Sequence, residues 1–486
     1  MANLDKDLLS IQEARTLMTE AYAAWQTWAK ATQEQVDRVC AAMAEAAYGA
    51  AERLGRLAYE ETGYGIPLHK KLKNEFASRT VWESIKEIKT VGVIRNDVEN
   101  RIVEIAWPMG VIAALTPSTN PTSTVIYKIL SAVKARDAII FAPHPSALRC
   151  SYEAAAVMIQ AAEQAGAPHG LIGCMQNVSL PGTNELMTHK YTALILATGG
   201  TPMVRAAHST GKPAYGVGPG NVPVYVDRSA DIEQAARYIV ASKAFDCSTI
   251  CATEQAVVAD RPIAAQLKTL MQDQGAYFTD PQQTDVLRTL LFTPDGVMNT
   301  ATVGKPADVL AAMAGFSVPV GTRILVTPIQ RVGKEEPLSR EKLTTVLGWY
   351  ETENWETGCS RCIELIQFGG RGHSLSIHAR DESVIMQFAL EKPVFRIVVN
   401  TMSSLGGIGF TTGLMPSLTL GAGGVGGSIT GDNITTYHLF NVKRLAYALS
   451  TPPSEAFSAG EPRVGPSPME VEAAVRSVVE EIFKNR

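Results

Sequence analysis

The sequence lacks basic runs and long apolar segments, and these absences exclude several classes of protein. The formal net charge is −4 over 486 residues, so binding to nucleic acid is not predicted. No apolar stretch reaches the ~18 residues that a membrane-spanning helix needs. Residues 1–7 are polar, so we predict no signal peptide. Neither nucleic acid nor a membrane is therefore expected as a partner.

Cysteine is sparse too, with seven residues scattered through the chain. An odd, irregularly spaced set of this kind is typical of a reduced, intracellular protein. Cys359 and Cys362 form a CxxC pair, but no second ligand pair lies near it in the sequence. A zinc site is therefore not expected, and no metal is predicted. A redox role for the pair stays an open alternative.

The length and the hydrophobic pattern predict an α/β protein of two or three domains. The chain is too long for one core, and residues up to about 90 have helical spacing. Residues 91–107 have a β-like pattern with a predicted turn at 94–97. Beyond residue 110, continuous apolar runs alternate with amphipathic helices, which indicates a Rossmann-like parallel sheet covered on both faces. The predicted strands of this sheet are residues 111–115, 138–142, 171–175 and 193–196.

A second α/β unit is predicted to begin near residue 227. Its sheet is expected to include residues 324–326, 363–366 and 395–400. The predicted domains are a cofactor-binding domain with a β-hairpin arm, a catalytic domain, an oligomerisation segment, a linker and a C-terminal helix. These correspond to residues 1–226 (arm 95–107), 227–430, 431–450, 451–466 and 467–486.

The last twenty residues have the signature of a capped amphipathic helix. Ser467, Pro468 and Glu470 form a capping-box start. An apolar stripe follows, formed by Val471, Ala474, Val475, Val478, Val479, Ile482 and Phe483. A helix of this length is marginal alone, so the stripe is expected to bury against something.

Cys251 lies in a segment of small and polar residues, 242–255 (SKAFDCSTICATEQ), where a thiol can meet a substrate. Residues 116–121 (TPSTNP) follow a predicted strand, where open α/β sheets place their ligands. The side-chain amide of Asn120 could there stabilise an oxyanion together with the backbone N–H of Cys251. An Asn-Pro turn that caps the next helix is the alternative.

Together these segments resemble the CoA-acylating aldehyde dehydrogenases of the aldehyde dehydrogenase superfamily, over roughly residues 5–450. The resemblance implies that Cys251 is the nucleophile, with its pKa lowered from roughly 8.5 by local dipoles, and that Asn120 holds the oxyanion. It also implies an NAD site formed by four further segments and the strand end at 116–118. Its residues would be Thr116, Pro117, Ser118, His144, Pro145, Thr198, Gly199, Gly200, Met203, Gly216, Val217, Gly218 and Glu341.

Residues 215–221 (YGVGPGN) distinguish the branches of this superfamily. Hydrolytic members carry a water-activating glutamate where this chain has Gly216, and the acylating branch lacks it. The resemblance therefore implies that the thioester on Cys251 passes to coenzyme A. His373, in residues 369–374 (GGRGHS), would take the proton of the CoA thiol or serve a structural role. Cys247 replaces the usual Asn of the family, as an inert or oxidation-sensitive thiol.

The implied activity is reversible oxidation of a short-chain aldehyde, propionaldehyde or acetaldehyde, to acyl-CoA. The tail resembles the encapsulation peptides of bacterial microcompartment enzymes, and the chain resembles the propionaldehyde enzymes of 1,2-propanediol degradation. The resemblance implies a homo-oligomer, dimer or tetramer, in the bacterial cytoplasm, with shell or cargo proteins as partners of residues 467–486. The alternatives for the activity are another microcompartment aldehyde, a hydrolytic aldehyde dehydrogenase, a phosphate-dependent semialdehyde reductase and a non-enzymatic scaffold. The alternative for the tail is a helix that docks on its own body or on a sister subunit.

Overall fold

The computed structural model describes residues 5–457 and 467–484. Strands in this part of the chain form three sheets. They are β1 (Val93–Asp97), β2 (Ile102–Pro108), β3 (Val111–Thr116), β4 (Ala138–Pro143), β5 (Ile172–Cys174), β6 (Thr192–Thr198), β7 (Ala214–Val217), β8 (Val222–Val226), β9 (Glu254–Asp260), β10 (Ala276–Phe278), β11 (Ile324–Pro328), β12 (Val346–Thr352), β13 (Leu375–His378), β14 (Ile397–Val399) and β15 (Phe440–Ala446).

Helices cover these sheets and form an N-terminal layer. They are α1 (Lys6–Trp28), α2 (Gln33–Gly49), α3 (Ala51–Thr62), α4 (Pro67–Glu75), α5 (Val81–Ile85), α6 (Pro121–Lys134), α7 (Leu148–Gln164), α8 (Leu180–Thr188), α9 (Thr201–His208), α10 (Ile232–Ala244), α11 (Arg261–Asp273), α12 (Pro281–Leu291), α13 (Ala307–Met313), α14 (Trp355–Phe368), α15 (Glu382–Glu391), α16 (Ser403–Gly406) and α17 (Pro468–Lys484). Among these helices, none combines the length and the apolar character needed to cross a bilayer.

The first parallel sheet has five strands in the order β5-β4-β3-β6-β7, which confirms the predicted α/β architecture. Every residue of β3 and β4 is buried, as expected for strands covered on both faces. Helix α6 is buried along its whole length against this sheet and its neighbours. The carboxyl end of β3 leads directly to the segment that contains Asn120.

The second sheet has seven parallel strands in the order β10-β11-β12-β9-β8-β13-β14. Along the chain, the first strand of this sheet is β8, which starts a few residues before the boundary expected near residue 227. The strand predicted at residues 363–366 is wrong, because these residues lie in α14. A short apolar run does not distinguish a strand from a buried helical turn. Here Asn354 forms a capping box with Thr357, which starts the helix upstream of the run.

The third sheet is antiparallel, in the order β1-β2-β15, and unites the predicted arm with the predicted oligomerisation segment. The turn predicted at residues 94–97 is misplaced, because all four of these residues are in β1 and the chain reverses at 98–101. Asp97 Oδ1 accepts from Asn100 N–H at 3.0 Å. Arg101 has a φ of 51°. These contacts set the turn later than the sequence pattern suggests.

The predicted C-terminal helix is present as α17. Ser467 N–H donates to Glu470 at 2.7 Å, and Glu470 N–H donates to Ser467 Oγ at 3.3 Å, which confirms the capping box. Val471 and Val475 of the apolar stripe are 47% and 57% exposed. Part of the predicted linker, residues 458–466, lies outside the described residues.

Candidate active site

A cleft of ≈ 230 Å³ lies between the two parallel sheets, at the carboxyl ends of β3, β6 and β7. Ligands of open α/β sheets bind at such strand ends. The cleft brings together most of the residues predicted as a site. It is lined by Pro117, Ser118, Thr119, Asn120, Thr124, His144, Thr198, Gly199, Gly200, Met203, Val217, Gly218, Pro219, Thr249, Cys251, Glu341, Leu343 and Leu418.

Three residues predicted to contact the cofactor do not line this cleft. Thr116 is fully buried at the end of β3, and Pro145 begins a short 3₁₀ turn beyond His144. Gly216 faces helix α9, because a Cβ there would lie 2.5 Å from His208 Nε2 and 2.6 Å from Val204. A larger side chain at position 216 would require the side chains of Val204 and His208 on α9 to shift.

The nucleophile segment has an unusual backbone just before Cys251. Asp246, Cys247 and Ser248 have φ values of 46°, 50° and 63°, the left-handed region, which costs non-glycine residues roughly 1–2 kcal/mol each. This turn ends α10 and delivers Cys251 to the cleft. Cys247 itself is buried, and burial raises its pKa to about 12, so the inert alternative fits this thiol better.

The acidity expected for Cys251 is not present in this structure. Burial raises the pKa of its thiol to about 12, and the charge of Glu341 adds to that effect. Arg396 and the backbone N–H groups of Cys251 and Ala252 lower the pKa by less. The expectation that local dipoles would lower it overlooked the cost of burying a thiolate.

Asn120 occupies the N-cap position of α6, but its side chain makes no capping bond. Instead Nδ2 donates to the carbonyl oxygen of Thr249 at 2.8 Å and to Thr119 Oγ1 at 3.3 Å. Its Oδ1 accepts from Lys73 Nζ. The capping alternative is therefore wrong for this side chain, which reaches across the cleft to the nucleophile segment.

Sequence analysis missed the ionic cluster behind Asn120. Lys70 and Lys73 of α4 are both 2% exposed and both contact the buried carboxylate of Asp246. Burial alone would raise the pKa of Asp246, but the two ammonium groups hold it below its ordinary value. In the sequence, residues 67–75 are typical of a charged surface helix. Only the spacing of the two lysines, nearly one helical turn, hints at a shared partner.

His373 is buried beside the nucleophile without lining the cleft. A Cβ at Gly220 would lie 3.1 Å from His373 Nδ1 and 2.2 Å from the carbonyl oxygen of Cys251. Burial and the charge of Arg396 lower the pKa of His373 to about 3. Its Nε2 has no hydrogen-bond partner among the described residues. This neutral ring can accept a hydrogen bond, but it is a weak base in this state.

Arg396, which sequence analysis also missed, connects the His373 segment to residues 421–433. Its guanidinium is 2% exposed and donates to the carbonyl oxygens of His373, Gly421 and Gly431 at 2.8, 3.0 and 2.9 Å. It also donates to Asn433 Oδ1 at 2.6 Å. Within the described chain, no carboxylate lies in salt-bridge distance of it. Its charge acts on Cys251 and lowers the pKa of that thiol, while Asp432 acts on the guanidinium from beyond salt-bridge distance.

Glu341 provides the sole carboxylate among the described residues that line the cleft. Its Oε1 accepts from Gly220 N–H at 2.8 Å. Burial raises the pKa of this carboxyl to about 7, although the Gly220 N–H and two nearby lysines act in the opposite direction. Glu341 is thus anchored to the segment that joins the two sheets.

The features of the cleft fit a dinucleotide. Helix α9 starts at the cleft, and its N-cap residue, Gly200, provides no side-chain cap. The first N–H groups of such a helix suit a pyrophosphate. His144 and Met203 line the same cavity. For a metal the finding differs: no group of three or more potential ligands occurs in residues 5–457 or 467–484.

The sequence of the chain is similar to those of known proteins. Residues 8–285 match the profile of the aldehyde dehydrogenase family. An aldehyde-alcohol dehydrogenase of Streptococcus pneumoniae is 42% identical over 82% of the chain and 46% of the relative. The chain thus spans about half the length of such relatives. An acetylating succinate-semialdehyde dehydrogenase of Clostridium kluyveri is 34% identical over 91% of the chain and 95% of the relative.

The chain is also similar to solved structures of aldehyde dehydrogenases. An acetylating aldehyde dehydrogenase from Geobacillus thermoglucosidasius is 49% identical, with a TM-score of 0.91 over 93% of this chain and 99% of that one. A propionaldehyde dehydrogenase from the fucose-utilisation microcompartment of Clostridium phytofermentans is 29% identical. Its TM-score is 0.81 over 89% of this chain and 97% of that one.

Proposed function

The chain belongs to the aldehyde dehydrogenase family, and we propose that it oxidises a short-chain aldehyde to acyl-CoA with NAD as hydride acceptor. Both relatives described as acetylating align with nearly their whole length. The reaction is reversible in this proposal, since one thioester replaces another. Propionaldehyde is the favoured substrate, and acetaldehyde is the second candidate.

One observation carries the choice of CoA over water as the acyl acceptor. The cleft holds Cys251 and Asn120, while its sole described carboxylate, Glu341, is bonded to Gly220 N–H. Position 216, where hydrolytic members have their base, has no side chain, and a Cβ there would meet the side chains of Val204 and His208 on α9. A thioester on Cys251 therefore has no free carboxylate beside it, among the described residues of the cleft, to activate water. Its hydrolysis should be slow, and it should persist until another thiol arrives.

The residues divide the work as follows. Cys251 releases its thiol proton and attacks the aldehyde carbon, and the Asn120 amide and the Cys251 N–H bind the resulting oxyanion. NAD, when bound, accepts the hydride, which leaves an acyl group on Cys251. The CoA thiol then attacks this acyl carbon, the bond from the acyl carbon to the Cys251 sulfur breaks, and the proton of the CoA thiol passes to the departing sulfur, which restores the Cys251 thiol and releases acyl-CoA. His373, neutral and with its Nε2 unbonded among the described residues, accepts a hydrogen bond from the entering thiol.

A small apolar cavity supports a short acyl chain. It has a volume of ≈ 40 Å³ and is lined by Leu72, Lys73, Phe76, Phe245, Leu405, Ile408 and Phe410. This holds about three water-sized groups, at roughly 10–15 Å³ each. Lys73 lines the cavity and also bonds Asn120, so this one side chain connects the cavity to the proposed oxyanion position. An acyl group of two or three carbons fits this space.

The test is NADH formation from propionaldehyde with and without CoA, for the wild type and Cys251→Ala. We expect turnover to propionyl-CoA only with CoA, and none in the variant. Steady release of free propionate without CoA would contradict the proposal.

Ile408→Ala should raise kcat/KM for longer aldehydes relative to propionaldehyde, because it enlarges the apolar cavity.

We also propose that α17 binds a shell or cargo protein of a bacterial microcompartment in the cytoplasm. Val471 and Val475 are exposed on a capped helix, and one structural neighbour comes from such a compartment. Full-length Val475→Asp should fail to co-sediment with compartment shells, whereas the control Glu472→Gln should sediment like the wild type. Equal sedimentation of both variants would reject this role.

The three-stranded sheet is our proposed site of homo-oligomer assembly, as a dimer or tetramer. Leu445 on β15 is 46% exposed, and Trp107 on the paired strand β2 is 51% exposed. Leu445→Asp should reduce the mass measured by light scattering to that of a monomer. An unchanged mass would exclude this surface.

A further inference from the structure

Lys73 connects the oxyanion position to the buried ionic cluster. Its ammonium group contacts Asn120 Oδ1 and Asp246 Oδ2, and it lies 3.3 Å from Thr249 Oγ1. The side chain is 2% exposed, so water does not compete for these contacts. Neither the proposed chemistry nor the sequence motifs assign a role to this residue.

The contact with Lys73 determines which way the amide of Asn120 faces. The two ends of an asparagine amide have nearly the same shape, and their hydrogen-bond partners decide the orientation. An ammonium group can only donate, so Asn120 Oδ1 must face Lys73. Nδ2 then faces the carbonyl oxygen of Thr249 and Thr119 Oγ1, and the hydrogen in the longer bond, 3.3 Å to Thr119, is the one that an oxyanion can take over. A flipped amide would direct oxygen at the oxyanion and repel it.

The cluster also carries an excess of positive charge. Lys70 and Lys73 share one carboxylate, that of Asp246. Burial lowers the pKa of Lys73 to about 8, although Asp246 acts against that effect. With both lysines protonated, the cluster has a net charge of about one positive unit behind Asn120. Such fixed charge stabilises a developing oxyanion most where water is excluded.

We propose that Lys73 is a positioning residue that orients the Asn120 amide and polarises it toward the oxyanion. This inference rests on the proposed function only in that Cys251 attacks a carbonyl group. It holds for any acyl acceptor, because the oxyanion forms before CoA is needed.

Lys70 provides a matched control. Its ammonium group also bonds Asp246 Oδ2, at 3.2 Å, but its second bond is to the carbonyl oxygen of Thr119 at 3.2 Å. It does not touch Asn120. Lys70→Met and Lys73→Met each remove one ammonium group from the same carboxylate. Only Lys73→Met releases the amide.

The experiment measures the rate of the NADH burst without CoA, in a single turnover with propionaldehyde. Lys73→Met should slow the burst on the order of 10²-fold, the typical effect of losing one oxyanion donor. KM for NAD should stay unchanged. Lys70→Met should slow it less than about tenfold. In an Asn120→Ala background, adding Lys73→Met should have almost no further effect, because Lys73 acts through Asn120.

Equal burst rates in Lys73→Met and the wild type would overturn the inference, as would an undiminished effect in the Asn120→Ala background. Lys73→Arg keeps the charge and donors, so partial recovery of the burst is expected. If Lys73→Met does not fold, the comparison of Lys73→Arg with Lys73→Gln decides, and equal rates for those two would overturn it. Failure of the proposed function would appear separately, as a wild-type burst without CoA-dependent turnover.

Discussion

The thiol of Cys251 should react slowly with alkylating agents at neutral pH. Burial raises its pKa to about 12, so at pH 8 only about 10⁻⁴ of the thiol is ionised. The rate of carboxamidomethylation at Cys251 should therefore rise about tenfold per pH unit from pH 7 to 10. An ordinary cysteine, with a pKa of ~8.5, would level off near pH 9.

The charge of Glu341 should also affect the alkylation rate of Cys251. Its charge is the second largest cause of the raised pKa of Cys251, and its own pKa is about 7. Below pH 7 the carboxyl is neutral and does not oppose the thiolate. Glu341→Gln should therefore leave the alkylation rate at pH 6 unchanged and increase it at pH 8 and above.

The assay is iodoacetamide labelling, quantified by mass spectrometry of the peptide that contains Cys251. Cys251→Ala gives the background from the six other cysteines, which are buried. A plateau below pH 9 in the wild type would refute the reasoning, because the thiolate would already be present. A Glu341→Gln rate equal to that of the wild type at every pH would refute the electrostatic coupling.

Further predictions follow from local packing. Gly220→Ala should abolish turnover, because its Cβ would lie 2.2 Å from the Cys251 carbonyl oxygen, whereas a Cβ at Gly218 meets nothing within 4 Å. Gly218→Ala should therefore keep a normal Tm, and equal behaviour of the two variants in kcat and Tm would contradict this. Arg396→Met should lower the free energy of unfolding in urea by roughly 3 kcal/mol or more, since several buried acceptors lose their donor. Arg380→Met, at an exposed pair with Asp231, should cost less than about 1 kcal/mol, and a similar loss in both would show that Arg396 does not hold its loop.

The periodic parts of the fold were predictable from the sequence. Continuous apolar runs at β3 and β4 correctly indicated a sheet buried on both faces, and Ser467 with Glu470 correctly marked the start of α17. Residues 363–366 failed because a four-residue apolar run is equally compatible with a buried helix. The signal that distinguishes them, the capping box at Asn354, lies outside the run.

The site was predictable where one segment carries the chemistry, as for Cys251 and Asn120. It was not predictable where distant segments meet. Lys73 and Asp246 are 173 positions apart, and no local pattern pairs them. The pKa of Cys251 is a property of burial in the assembled cleft, so a polar local sequence misrepresents it. Gly216 shows a third limit of sequence-based prediction, because the sequence does not tell whether a Cβ at this position would face the cleft or α9.

The bonds of Asp246 have a consequence for how the protein folds. Its carboxylate accepts from Ile66 N–H at 2.7 Å, across a separation of 180 positions. The left-handed turn before Cys251 is thus held by a contact between residues far apart in the sequence, and such contacts form slowly. After dilution from denaturant, helical circular dichroism should return before enzyme activity does. The catalytic centre is therefore expected to be among the last parts of the molecule to mature.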